Sequence, residues 1–356
     1  MSRELTRRGH VFDLCYEDDG DLSNAFRSFC GSLSKVPSVR YSDSPVADAR
    51  RVLAASRIGI RLRPDLIYVN HPTELAWAVA VQAFTHAPIV CCLHVFISYP
   101  TGSLGSRMVP LLARRVRHFV AVSEFIRGMW RQEGLGAAGI EVIPNGVSVS
   151  DYPMGSESEL LRCREVLGIP PDAFVAAYLG RIVPEKGVDV LLDAWKQLAL
   201  PADQARLLIV GLQADSSAHT VYLRELQDAT PSGCSWLPMR VDAVSILHAA
   251  DVVVLPARWE EPFGRIVIEA MATGRPAIAA NVGGIPEILE GEFARFLFAR
   301  EDAAALANRL RELRSWRTVD PGLAGRCVQH VVRRFALDAT AAHMESLFRS
   351  ARASQT

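Results

Sequence analysis

Two carboxylates, Glu261 and Glu269, stand eight positions apart in Trp259-Glu-Glu-Pro-Phe-Gly-Arg-Ile-Val-Ile-Glu269. A Pro262-Phe263-Gly264 turn follows the first, and a helix carrying the second opens there. Directly upstream, Asp251-Val-Val-Val-Leu-Pro256 is a short β-branched run that reads as a buried parallel strand. The order is strand, acidic loop, glycine, helix N-terminus, acid. That order suits a phosphorylated sugar. Free backbone N–H groups near Gly264, Arg265 and Ile266 can face a phosphate. A carboxylate on either side can accept from the paired hydroxyls of riboses and hexoses. Strand-loop-helix units with surface glutamates are common in α/β proteins, so Glu261 taken alone also reads as a solvated loop acid.

A second loop carries Gly180-Arg181-Ile-Val-Pro-Glu185-Lys186-Gly187 between a strand and a helix starting near Val188. Gly180 lets the chain turn at the strand end. The Arg181 fork can grip two phosphate oxygens, and Lys186 supplies a point charge that Glu185 can orient. A solvated charged turn is the alternative; two cations beside a helix N-terminus favour phosphate. A third loop, Asn281-Val-Gly283-Gly284-Ile-Pro-Glu287, again joins strand to helix. Its glycines permit close backbone approach to a ligand, and Glu287 reads as a first-turn acid favoured by the helix dipole. One apparent motif fails its context. Gly134-Leu-Gly-Ala-Ala-Gly139 has dinucleotide-fingerprint spacing but follows a helix and precedes a strand, so it reads as a helix-ending turn.

These loops need a frame of alternating strands and helices, and the chain supplies one. Strand-like runs are Val11–Tyr16, Asp65–Asn70, Pro88–His94, His118–Ser123, Ile140–Pro144, Phe174–Gly180, Arg206–Gly211, Cys234–Leu237, Asp251–Pro256, Pro276–Ala280 and Arg295–Phe298. Helical patterns between them include Ala47–Arg61, Glu74–Phe84, Leu104–Arg117, Glu124–Gly134, Val188–Leu198, Val221–Ala229 and Ala243–Ala249. Such alternation predicts an α/β fold of parallel sheets covered on both faces. Two sheets fit 356 residues better than one. The Ser-, Gly- and Pro-rich stretch Asn145–Gly155 reads as their linker, giving domains over 1–150 and 156–330. Ligands then belong at the carboxyl ends of the strands.

Composition narrows the class. Lys plus Arg and Asp plus Glu are both 39, and that balance disfavours a nucleic-acid binder dominated by phosphate contacts. Seven scattered cysteines without a Cys-x-x-Cys pair indicate neither a disulfide framework nor a zinc site, and fit a reducing compartment. The first ten residues are polar and basic, which is not a signal peptide. The apolar stretch Ala76–Ile97 is broken by Gln82, His86, Pro88 and His94. It reads as helix, turn and strand rather than a membrane span. The expected location is cytoplasmic, with a peripheral position at the inner face of the membrane as an option. That option rests on Arg107, Arg114, Arg115 and Arg117, which form either a solvated face or a contact for an anionic membrane surface or lipid-linked acceptor.

Taken together, Gly180-Arg181 with Glu185-Lys186-Gly187, Glu261-x7-Glu269 with its Pro-Phe-Gly, and Gly283-Gly284-Ile-Pro-Glu287 resemble the family-4 retaining glycosyltransferases (glycosyl transferases group 1) of the GT-B fold. Weaker matches are Leu93-His94, Val122-Ser123-Glu124 and Ile143-Pro-Asn145-Gly146-Val147, and the resemblance spans roughly residues 60 to 350. It implies two Rossmann-like domains facing a central cleft. The first would lie on the acceptor side, completed by a C-terminal helix over 333–352. Arg181 and Lys186 would hold the donor diphosphate, with Gly180 at the turn, and Glu269 would bind the ribose hydroxyls. Glu261 and the backbone at Phe263 and Gly264, beside Arg265 and Ile266, would face the donor sugar. The backbone from Leu237 to Met239 would contact the base, and His94 would sit near the transferred sugar. Taken by itself, His94 reads equally as a core histidine.

The implied chemistry is hexosyl transfer from a UDP- or GDP-linked sugar to an acceptor hydroxyl with retained configuration, in polysaccharide or glycoconjugate synthesis. The leaving diphosphate would help deprotonate the acceptor, so neither a covalent carboxylate nor a metal is required. No other cofactor is implied. The acceptor would be a glycan, a lipid-linked molecule or a small molecule such as a sugar phosphate. No dinucleotide fingerprint follows a strand, which disfavours a dehydrogenase.

The beginning departs from the family pattern. Members open with a strand, a glycine-rich loop and a first helix; here Ser2–His10 resembles that helix and the second strand follows at once. A doubly wound sheet without its central strand would expose unpaired edges. Three explanations stand: a start upstream of Met1, a patch from Leu22–Val39, or a non-catalytic nucleotide-sugar-binding partner subunit.

Overall fold

The computed structural model describes all residues except 19, 21–22, 38–44, 99–103, 136–138, 213–216, 240–241 and 354–356. The chain forms two compact units, 1–146 with 337–356, and 147–336. Every named strand pairs in parallel.

The first unit contains β1 (Asp13–Tyr16), β2 (Ser32–Lys35), β3 (Ile67–Val69), β4 (Ile89–Leu93), β5 (Val116–Ala121) and β6 (Ile140–Val142). They make two sheets, β1-β2 and β3-β4-β5-β6. Strand β4, Ile-Val-Cys-Cys-Leu, is buried along its whole length, as a strand with both faces covered must be. The patch expected from Leu22–Val39 does not bridge the sheets: its one strand, β2, pairs with β1 and with no other strand among the described residues. Residues 22, 38 and 39 of that stretch lie outside the described residues.

The helix expected over Leu104–Arg117 ends at Ala113, because Val116 already pairs with Ile89 in the sheet. The fingerprint-like stretch ends the helix Glu124–Gln132, with Gly134 and Gly139 at positive φ; residues 136–138 fall outside the described set. The tail expected as one helix over 333–352 is two. Leu323–Phe335 belongs to the second unit and Leu337–Ala353 to the first, with Ala336 extended between them. Ala336 bridges Val147, and Phe335 O accepts from Val147 N at 2.8 Å, so backbone pairing interrupts the helix. The apolar face is divided accordingly: Phe335 packs edge-on to Phe263, while Met344, Leu347 and Phe348 are buried in the first unit.

The second unit has one six-stranded sheet ordered β12-β11-β10-β7-β8-β9. Its strands are β7 (Phe174–Leu179), β8 (Ala205–Leu212), β9 (Cys234–Pro238), β10 (Val252–Leu255), β11 (Ala277–Ala280) and β12 (Leu297–Phe298). The chain starts centrally at β7, runs outward through β8 and β9, and returns to lay β10 on the other side of β7. The order therefore reverses between β7 and β10, and a doubly wound sheet opens a crevice at such a point. Helix Val188–Leu198 follows β7 and buries Val188, Leu191, Leu192, Trp195 and Leu198, the stripe expected of an amphipathic helix on a sheet.

Candidate active site

The loops after β7 and β10 flank the switch point, and their backbones are joined. Glu185 O accepts from Arg258 N at 2.8 Å and Trp259 N at 3.3 Å. Gly187 has φ +66°, and a Cβ there would stand 2.0 Å from Pro256 O, so a side chain would separate the loops. Arg258 strengthens the join: its guanidinium donates to both Asp189 oxygens and, at 2.8 Å, to Glu301. Asp189 also accepts from Tyr222 Oη at 3.0 Å. The loop after β11 closes on the same place. Gly284 N donates to Glu261 O at 2.8 Å, Gly283 N donates to Glu260 Oε2 at 2.8 Å, and a Cβ on Gly283 would lie 2.1 Å from Glu261 O.

Side chains converge on this frame. Lys186 Nζ donates to Glu261 Oε2 at 2.5 Å, and Trp259 Nε1 donates to the same oxygen at 3.2 Å. Tyr178 Oη donates to Arg181 O at 2.6 Å, fixing the start of the cationic loop from inside the sheet. A cavity of about 180 Å³ is lined by Tyr178, Leu179, Gly180, Lys186, Leu255, Glu261, Gly264, Arg265 and Ile266. Helix Arg265–Ala272 opens onto it from Gly264 without a side-chain cap, so its leading N–H groups are available to an anion. One turn further on, Glu269 Oε1 accepts from Arg265 Nη2 at 3.0 Å. Burial holds the Glu269 carboxyl above the ordinary glutamate range, opposed by Arg265 and by a hydrogen bond from Tyr152. Burial, and secondly the Glu269 charge, push Tyr152 up to about 12.

The structure thus brings together Gly180, Lys186, Glu261, Gly264, Arg265 and Ile266 around one cavity, with Arg181 and Lys186 on an adjoining one. Phe263 turns its ring into the core, leaving its backbone for the loop. Met239 follows β9 with its side chain 52% exposed. His94 belongs to the first unit, directly after β4. Its loop is held from below by the buried Trp130, whose Nε1 donates to Val95 O at 3.1 Å. The sequence motifs assign no role to Trp259, Tyr178, Tyr152 or the Arg258–Asp189 pair. Only Trp259 lay inside a motif.

The chain matches known proteins over the same residues. Residues 1–151 match the model "Glycosyltransferase Family 4" and residues 162–317 match "Glycosyl transferases group 1". The chain belongs to the family-4 glycosyltransferases. The family match begins at residue 1, ahead of the residue 60 at which the motif resemblance starts.

Among the relatives of this family-4 chain, the lipopolysaccharide 1,2-N-acetylglucosaminetransferase of Salmonella typhimurium is 32% identical over 69% of this chain and 63% of its own length. The D-inositol 3-phosphate glycosyltransferase of Corynebacterium efficiens is 33% identical over 60% of this chain and 51% of its own. The matched region therefore spans roughly half to three-fifths of these curated relatives. Two solved structures share the fold. Anabaena HepE, in complex with UDP and glucose, superposes with TM-score 0.81 at 23% identity, covering 95% of this chain and 91% of its own. A Rickettsia africae glycosyltransferase gives 0.87 at 18% identity, covering 98% and 92%. The fold is GT-B.

Proposed function

We propose that this family-4 chain transfers a hexosyl group from a nucleotide-diphosphate sugar to an acceptor hydroxyl. The observation that carries the reading is the switch-point cavity, where Lys186 and an uncapped helix N-terminus meet the Glu261 carboxylate. Arg181 and Lys186 would take the diphosphate and stabilise it as it leaves. Glu269 would accept from the ribose hydroxyls, and Glu261 from the sugar. With two cations and helix N–H groups at the leaving group, transfer would proceed without a metal; retention is what membership of the family-4 glycosyltransferases implies. The UDP and glucose bound by HepE, and the names of the two relatives, support a sugar nucleotide as donor.

Calorimetric titration of UDP, GDP, UDP-glucose and GDP-mannose into the chain and into Glu269→Ala tests the site. Binding of one nucleotide class, weakened by the substitution, is expected; no binding by a folded sample would sink the reading. Transfer in the presence of EDTA, and NMR of the product anomer, test the metal and the stereochemistry.

A second reading, a non-catalytic nucleotide-sugar-binding subunit, is favoured by one observation: among the described residues, the first unit's strands fall into two sheets that do not pair with each other. Donor hydrolysis or transfer by the purified chain would eliminate it. The acceptor side also has a charge signature. Residues 75–123 contain no Asp or Glu, and Arg107, Leu111, Arg114, Arg115 and Arg117 are exposed there. That fits an anionic lipid surface or lipid-linked acceptor. No helix among the described residues is long and apolar enough to cross a membrane, so any such contact would be peripheral. Loss of binding to anionic vesicles on changing these arginines to Glu is the expected result; absence of binding by the parent chain would refute it.

A further inference from the structure

Beside the switch-point cavity lies another of about 150 Å³, lined by Arg181, Val183, Glu185, Lys186 and Trp259. Lys186 lines both. Nothing in the donor reading above uses Trp259, yet its side chain is 37% exposed on a loop that carries a ligand-facing carboxylate. The indole does not stand there loosely. Its backbone N–H is bound to Glu185 O, and its neighbour Arg258 is tied to Asp189 and Glu301. The ring lies 5.6 Å from Lys186 Nζ, and its own N–H reaches Glu261 Oε2.

That last contact has a consequence for Glu261. Lys186 and Trp259 both donate to Oε2, and Oε1 accepts no hydrogen bond among the described residues. The carboxylate is therefore fixed by one oxygen and keeps the other for a donor from outside. Trp259 lines one cavity and Glu261 the adjoining one, with Lys186 between them; an apolar ring and a fixed acceptor on either side of a cation suit a polar ring compound next to a phosphate. A hexose has both parts: a C–H face for the indole and hydroxyl donors for the carboxylate.

We infer that Trp259 is a specificity-determining residue for the transferred sugar. Its ring forms the apolar wall of the hexosyl pocket, and its N–H holds Glu261 so that Oε1 accepts a sugar hydroxyl. The inference rests on the nucleotide-sugar reading and adds to it the residue that distinguishes the sugar from the nucleotide. Arg181 and Lys186, assigned above to the diphosphate, line the same cavity as Trp259, so the quantity that isolates the sugar is the affinity for a nucleotide sugar relative to that for its nucleoside diphosphate.

The test is calorimetric titration of the full chain, Trp259→Phe and Trp259→Ala with UDP, GDP, UDP-glucose, UDP-N-acetylglucosamine and GDP-mannose. The quantity read is the affinity for each nucleotide sugar divided by that for its nucleoside diphosphate. Nucleoside diphosphate affinity should stay within about twofold, which also certifies folding. The sugar advantage should fall about tenfold in Trp259→Ala and about threefold in Trp259→Phe, which keeps a ring and loses the N–H. An unchanged ratio, equal weakening of both ligands, or a parent chain that binds no nucleotide sugar better than its nucleotide overturns the inference and leaves the nucleotide site standing. A parent chain that binds no nucleotide at all removes the donor reading, and the inference falls with it.

Discussion

The two units use the same alternation of strand and helix but bury it differently. In the second, β10 and β11 are buried at every residue and β7 at all but its last. In the first, no residue of β1 or β2 is fully buried, and these two strands stand apart from the other four. Charge follows the same division. The second unit holds Arg164, Asp251 and Arg275 in its interior as a shared network, whereas the first buries Arg51 against the half-exposed Asp48 and leaves the Arg8, Asp338 and Glu345 cluster within reach of solvent. A sheet continuous across its switch point can hold two loops within hydrogen-bonding distance; the chemistry that can be read from this chain lies where that condition is met.

The largest effect expected is on the interior charge. Asp251 Oδ2 accepts from Arg164 Nη2 at 2.8 Å and Val175 N at 2.7 Å, and Oδ1 accepts from Arg317 Nε at 2.6 Å. Asp251→Ala leaves a buried guanidinium uncompensated and should cost about 3–5 kcal/mol in urea unfolding. A cost under about 1 kcal/mol would mean that water reaches Arg164, and the contrast between the units would weaken.

Lys186→Ala comes next, and it separates chemistry from stability. Under the proposed role of Lys186 at the diphosphate, removing that cation should lower turnover about 100- to 1,000-fold. The unfolding midpoint should move less than in Asp251→Ala, because Lys186 and Glu261 line a cavity rather than fill the core. Turnover within threefold of the parent would displace Lys186 from the diphosphate.

Legibility in the sequence followed the same division. Strands such as Val252–Leu255 announce themselves as β-branched runs, and the loops after β7 and β10 carry their chemistry in consecutive residues. Strand β2, Ser-Leu-Ser-Lys, has no β-branched residue, and only its pairing with β1 makes it a strand. The break at Ala336 was hidden for a related reason: it depends on Val147, far off in sequence. Within the site, Glu261 and Lys186 were found by motif, but their 2.5 Å pairing joins residues on two loops. The Asp251 network unites Arg164, Asp251 and Arg317 from three separate elements and leaves no local pattern.

A smaller effect is expected from pH at the half-buried Glu269 carboxylate. Burial raises the Glu269 pKa above its usual value. Under the proposed role of Glu269 at the ribose, the ionised form is the stronger acceptor for two hydroxyls, so nucleotide affinity should rise with pH through that raised pKa. On the acid side it should fall about tenfold per pH unit. Stability has the opposite sign. A carboxyl whose folded pKa is raised stabilises the fold below its unfolded pKa, and that contribution is lost as pH rises through the folded value. Glu269→Gln should flatten both profiles, and Tyr152→Phe, by removing a hydrogen bond to the charged form, should move the affinity profile to higher pH. Parallel movement of affinity and stability in titrations from pH 4 to 8 would mean that Glu269 does not govern both.

The smallest effect is expected at the surface of the first unit. Arg8 donates to Glu4 at 3.3 Å, to Glu345 at 3.5 Å and to Asp338, and these carboxylates hold its pKa up against partial desolvation. The cluster ties helix Ser2–Arg7 to helix Leu337–Ala353, but water and salt reach it. Arg8→Ala should therefore lower Tm less than either second-unit substitution, and the difference should vanish in 1 M salt, where the screening length is about 3 Å. Leu5, Met344, Leu347 and Phe348 are buried along the same two helices and would keep them docked. A large, salt-independent loss of Tm would instead mean that the first unit, like the second, depends on a charge network, and the difference between them would reduce to the break in the sheet.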